Sequence, residues 1–203
     1  WAAGDVDTAD RHMDALRDLG ARTGYLIDLV SEEDDVIYNQ ISEAGVIVLG
    51  DGPNARTLRD ALDGIALSGI QEAFDRGSTI YAAGASAAMM GAAFVERGAL
   101  VDGIGWLASA VIMPGYSPDQ AADLRAWVRG VPDGYGLGLG AGAGIAFGPR
   151  GEVEVRDTAG VTGPHTGFAP LWLFERETAL TTSGPLVGEI ANAGIQDFSL
   201  TPV

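Results

Sequence analysis

The sharpest chemical signal in this chain is one serine among small residues. The run Ile80-Tyr-Ala-Ala-Gly84-Ala-Ser86-Ala-Ala-Met-Met-Gly91 reads as a strand that enters, a tight turn, and a helix that leaves. A nucleophile on such a turn sits in a strained backbone conformation, so its neighbours must be small. The turn would lift the Ser86 hydroxyl off a sheet edge. It would also aim the N–H of Ala87 at a developing oxyanion. The plainer reading of the same spacing is a helix cap, because Ser is an ordinary N-cap residue and Gly-x-Ser-x-Ala is a weak pattern alone.

A serine hydroxyl is a poor nucleophile until a base takes its proton. The chain holds only two histidines, His12 and His165. His165 stands in Val161-Thr-Gly-Pro-His-Thr-Gly-Phe, a turn-rich segment. It is a candidate base if that segment folds back over the sheet edge, and otherwise a surface-turn residue. His12, flanked by Arg11 and Asp14 in a helical stretch, reads as a solvated helix residue. Asp51, in Gly50-Asp-Gly-Pro-Asn54, either orients a substrate amine beside Ser86 or caps the following helix. Trp106, Trp127 and Trp172 are read as packing residues.

These residues need elements to hold them. Met13, Leu16 and Leu19 recur at helical spacing, so a helix is expected over about 5–19, with Gly20 as its stop. Tyr25 to Val30 is an apolar run fit for a buried strand. A helix over about 34–44, a strand at Val46–Leu49, helices to Leu62 and over 67–76, and a strand at Ser78–Ala82 follow. Strands alternating with short helices predict a parallel sheet covered on both faces. In such sheets, ligands bind at the carboxyl ends of the strands. The loops at Gly50–Asn54 and Gly84–Ala88 therefore share one edge. Further on, a strand at Ala108–Met113 and a helix at Asp119–Val128 precede short strands at Tyr135–Leu139, Ile145–Phe147 and Val153–Val155, a meander-like pattern. One α/β domain is expected over 1–162. A C-terminal extension over 163–203 would pack on it or on a partner.

Composition narrows the function classes. The net charge is −16, and all 12 basic residues are arginine. Such a surface repels phosphate backbones, so no nucleic-acid partner is expected. With no cysteine, disulfides, thiolate catalysis and Cys-ligated zinc are excluded, and two histidines argue against a multi-histidine metal site. No cofactor is expected. No run of about 18 apolar residues suggests a membrane span. The chain begins at Trp1 with no signal-peptide pattern, and the reading leans to a cytoplasmic location.

The pattern Val46-Ile-Val-Leu-Gly-Asp-Gly-Pro-Asn54, a Leu-bearing helix, then Gly77-Ser-Thr-Ile-Tyr-Ala-Ala-Gly-Ala-Ser-Ala-Ala resembles the peptidase S51 family, which includes dipeptidase E and cyanophycinase. The resemblance continues through Val111-Ile-Met-Pro-Gly115-Tyr and Gly136-Leu-Gly-Leu-Gly-Ala141-Gly-Ala, covering roughly residues 10–157. It implies a flavodoxin-like three-layer sandwich of the class I glutamine amidotransferase type. It makes Ser86 the nucleophile position, Ala87 the oxyanion donor, and Gly52 and Asn54 parts of the oxyanion and substrate loop. It also shows departures. Gly115 stands where the family has its general-base histidine. Ala141 stands near the triad acid. Pro53 replaces a glycine and has no N–H to donate, and Ala88 replaces the glycine two after the serine.

Two functional classes follow. One is a pseudoenzyme that binds, scaffolds or assembles, with self-association into a homo-oligomer expected. The other is a serine peptidase or hydrolase with a rearranged triad, acting on a peptide through Ser86 and His165. A glutamine-amidotransferase-like ligand binder fits less well, since those enzymes use cysteine at the elbow.

Overall fold

In the computed structural model, residues 6–53 and 55–147 are described, together with the strands at 152–157, 171–174, 179–182, 186–189 and 201–202. The chain divides into two compact units, Trp1–Met89 and Met90–Val203. It is a mixed α/β fold with parallel pairings in both units and antiparallel strands in its C-terminal half, compatible with a flavodoxin-like sandwich.

The first unit runs α1 (Val6–Asp18), α2 (Asp34–Ser42), β1 (Val46–Leu49), α3 (Ala55–Leu62), α4 (Ile65–Asp75), β2 (Thr79–Ala82) and α5 (Ala85–Met89). Helix ends obey local chemistry. Gly20 has φ +97°, its N–H bonds the Arg17 carbonyl, and the Ala21 N–H reaches back to Leu16. Gly77 repeats this after α4, with φ +94° and bonds from Gly77 to Phe74 and from Ser78 to Ala73. Both are Schellman closures, which need a residue that adopts the left-handed region without strain. The second delivers the chain into β2. Ser78 Oγ donates to the Ala44 carbonyl at 2.7 Å, and Thr79 N–H donates to Gly45 at 3.0 Å, which sets β2 parallel to β1.

Helices α2 and α4 pack on each other through Ile37 and Ile41 on one side and Ala66, Gly69, Ile70 and Ala73 on the other, all buried. A Cβ on Gly69 would come within 3.2 Å of Ile41, so small residues on α4 set how closely α2 approaches.

The strand expected at Tyr25–Val30 does not form. The segment is irregular, with Tyr25 and Val30 exposed. Asp28 explains the failure. Its carboxylate accepts the Val30 N–H at 3.0 Å and the Ser31 hydroxyl at 2.6 Å, while Glu32 bonds back to the Asp28 N–H at 2.9 Å. These local bonds close a turn in the middle of the run and compete with a sheet ladder. Leu19, one of the residues whose helical spacing marks the first helix, lies just past α1 and is exposed.

The second unit contains β3 (Gly91–Glu96), β4 (Ala99–Asp102), β5 (Leu107–Pro114), a 3-10 turn at Pro118–Gln120, α6 (Ala121–Val128), β6 (Tyr135–Leu139), β7 (Ala143–Phe147), β8 (Glu152–Asp157), β9 (Leu171–Phe174), β10 (Ala179–Thr182), β11 (Leu186–Glu189) and β12 (Thr201–Pro202). One sheet has the order β10-β9-β6-β5-β3-β4, with β3, β5 and β6 mutually parallel. The other has the order β12-β11-β8-β7 and is antiparallel. The β3–β4 hairpin was not expected from the sequence. Its two-residue turn uses Arg97 at φ 51° and Gly98 at φ 77°, both in the left-handed region that tight hairpins require. Of the segment 163–203, only the four strands β9–β12 fall within the described residues.

The alternation Tyr135-Gly-Leu-Gly-Leu139 positions this unit's core. Tyr135, Leu137 and Leu139 pack with Ala110 and Ile112. On the opposite face, Leu124 and Val128 of α6 lie over Gly136, and the Tyr116 ring lies over Gly138. Burial pushes the Tyr135 phenol up to about 12 and keeps it neutral.

Two outcomes test these contacts. Gly138→Ala puts a Cβ 2.6 Å from the Tyr116 ring. It should lower the unfolding free energy in urea by about 1–3 kcal/mol, the usual cost of overpacking. The Asp28 carboxyl is held below its ordinary value first by the Ser31 hydroxyl and then by the Val30 N–H. A depressed acid contributes stability above its unfolded value and loses it as pH falls through the folded one. An NMR titration should therefore place the Asp28 midpoint below 3.8, and Ser31→Ala should raise it.

Candidate functional site

The loop after β1 and the turn after β2 meet because their strands are parallel neighbours, with Leu49 paired to Ala82. Their carboxyl ends lie at one edge, as the sequence predicts. Ala83 N–H donates to the Leu49 carbonyl at 2.9 Å and extends the pairing one residue past the strand. The chain then turns at Gly84, whose φ of +54° a side chain would resist. Helix α5 starts at Ala85 and lasts only to Met89.

Ser86 lies on this turn, but its hydroxyl is not presented to solvent. The residue is fully buried, at 0% exposure. Its Oγ donates a hydrogen bond to the carbonyl of Gly50, which is itself buried. The proton that a base would remove is thus held by a main-chain acceptor.

Asp51 is bonded next to it. One carboxylate oxygen, Oδ1, accepts the Gly52 N–H at 2.8 Å and the Ala85 N–H at 2.8 Å. Asp51 does cap a helix, but that helix is α5, 34 residues away, and not the α3 that follows it in sequence. The carboxylate lies against Gly84, where a Cβ would overlap it. The Gly52 N–H, expected as an oxyanion donor, is turned to this carboxylate. Ala87 is half-buried within α5. Asn54 and His165 lie outside the described residues.

Gly115 and Ala141 belong to the second unit, where they follow β5 and β6. Those strands are parallel neighbours, with Pro114 paired to Leu139, so the two residues share a carboxyl edge. Gly115 has φ +69° and is exposed, and Ala141 is an exposed turn residue. Neither has a side chain that takes a proton. Tyr116, beside Gly115, is no substitute. Burial, more than its charged neighbours, pushes its phenol above the ordinary tyrosine value, so it stays protonated near neutral pH.

His12 is only half-exposed rather than solvated, and its Nδ1 is shielded from solvent with no hydrogen-bond partner among the described residues. Among the described residues, no three His, Asp or Glu side chains gather as metal ligands, and no helix is long and apolar enough to cross a membrane.

Sequence reasoning missed Gly50 and Gly84. A carbonyl acceptor has no side-chain signature. Gly84 could have been found as the smallest residue before the serine, facing an acid from the neighbouring loop.

No protein-family model matches the sequence, and a search of curated proteins finds no relative. Among solved structures, the chain is similar to a peptidase from an acI-B1 Actinobacterium, with a TM-score of 0.64 and 14% identity over 88% of this chain and 75% of that one. That likeness is one of fold, and the fold here is peptidase-like.

The Asp51–Gly84 contact predicts a non-additive pair. Gly84→Ala should cost more stability than Asp51→Ala, because the new Cβ meets the carboxylate and φ is strained. In the double variant the overlap is gone, so its loss should fall short of the summed single losses by about 1 kcal/mol. Denaturant unfolding of the four proteins measures this.

Proposed function

We propose that this chain is a non-catalytic relative of the S51-type serine peptidases, acting as a binding, scaffolding or assembly subunit. The observation that carries the reading is the buried Ser86 hydroxyl, bonded to the Gly50 carbonyl. Gly115 and Ala141 support it, since neither can serve as base or acid at the positions the resemblance assigns to them. The bonded N–H groups of Gly52 and Ala85 support it as well. Loss of the base in a serine hydrolase costs on the order of a millionfold in turnover. Loss of an oxyanion donor adds roughly 3 kcal/mol of barrier. Together they leave little beyond binding.

A second reading keeps Ser86 as nucleophile of a peptidase or hydrolase, with His165 as base in a rearranged triad. The strand–turn–helix geometry around Ser86 favours it, because a cap alone does not require Gly84 at positive φ. A peptide substrate belongs to this second reading, and self-association belongs to the first.

A fluorophosphonate probe separates the two. The expected result is no labelling of the native protein above that of Ser86→Ala. Rapid labelling that disappears in Ser86→Ala and in His165→Ala would overturn the non-catalytic reading. Sedimentation velocity of the native chain tests self-association, with a species larger than a 20.9 kDa monomer expected.

A further inference from the structure

The serine turn is held by two consecutive residues of one short loop. Gly50 takes the Ser86 proton through its carbonyl, and Asp51 takes the Ala85 N–H through Oδ1. The same oxygen holds the Gly52 N–H, and the carboxylate fills the space that Gly84 leaves by lacking a Cβ. Asp51 is exposed while Ser86 is fully buried. Glycines flank Asp51 on both sides and give the loop freedom of φ and ψ. The bonds that hold the Ser86 proton and the Ala85 N–H therefore come from adjacent residues of one loop, and the second of these residues, Asp51, faces solvent.

We propose that Gly50–Gly52 is a strap that closes the Ser86 turn, with Asp51 as its clasp. When the carboxylate leaves Ala85, the strap swings off. The Ser86 hydroxyl and the Ala85 N–H are then uncovered together. Asp51 is in this sense a positioning residue, acting on Ser86 through the loop and not by touching a ligand. The inference rests on reading the Ser86 turn as the functional site, but it holds whether or not a base is present.

Because the chain contains no cysteine, Ser86→Cys supplies a single thiol at the buried position. The experiment measures its modification rate by iodoacetamide, with the urea-unfolded chain as reference. A closed strap predicts slow labelling of Ser86→Cys. Adding Asp51→Ala should raise the rate about tenfold, since labelling of a buried group follows the population of the open state. Adding Gly84→Ala, which displaces the carboxylate while keeping Asp51, should raise it similarly. Asp51→Asn, which keeps an acceptor oxygen without the charge, should fall between.

Ser86→Cys with Gly138→Ala controls for general loosening, since it weakens the second unit and leaves the strap untouched. If it labels as fast as the Asp51→Ala variant at matched stability, the strap is refuted. An unchanged rate in a folded Asp51→Ala variant, or fast labelling of Ser86→Cys alone, refutes it too. Failure of the non-catalytic reading shows elsewhere, as fluorophosphonate labelling of native Ser86.

Discussion

The hydrogen bond from Ser86 to the Gly50 carbonyl is the constraint on which the site depends. It exists because β1 and β2 run parallel and in register, so the residues just beyond them face each other at one edge. That register is set further back. The Schellman closure after α4 and the Ser78 bond to Ala44 fix where β2 begins. Packing of α2 on α4 through Ile41 and Gly69 links the helices that lead into the two strands. A chain of local backbone rules thus ends in one polar contact at the strand ends.

The contact also limits what the turn can do. In this arrangement the Ser86 proton is directed to a main-chain carbonyl and the residue is out of contact with water, whereas acyl transfer needs a base that takes that proton. The neighbouring carboxylate adds to this. The Ala85 N–H at the start of α5 would favour developing negative charge, but Asp51 already satisfies it. The turn therefore has its Ser86 hydroxyl and its Ala85 N–H bonded to the neighbouring loop. The fold alone does not decide an activity, because chemistry resides in a few side chains placed on a scaffold.

Much of the first unit was legible in the sequence. Glycines after helical runs marked the ends of α1 and α4, and apolar runs marked β1 and β2. The same rules misread Tyr25–Val30, because a hydrophobic run says nothing of the Asp28 carboxylate that closes a turn inside it. The β3–β4 hairpin was hidden by alanine-rich composition, and only Arg97-Gly98 signalled it. Around the turn, residue types singled out Ser86 and Asp51, which the parallel pairing of β1 and β2 brings together. Their partners were not legible, since Gly50 acts through its carbonyl and Gly84 through the side chain it lacks. Asp51 was readable as a cap, but sequence neighbourhood pointed to α3 when strand pairing delivers it to α5.

The central claim is that the Ser86 hydroxyl is a structural group, satisfied within the fold. The unfolding free energy of Ser86→Ala against the native chain measures this directly. A structural hydroxyl predicts destabilisation of about 1–3 kcal/mol, because the buried Gly50 carbonyl loses its donor. A nucleophile held in a strained, preorganised site predicts the opposite, since removing such a group commonly leaves stability unchanged or raises it. A Ser86→Ala variant as stable as the native protein, or more so, would contradict the account.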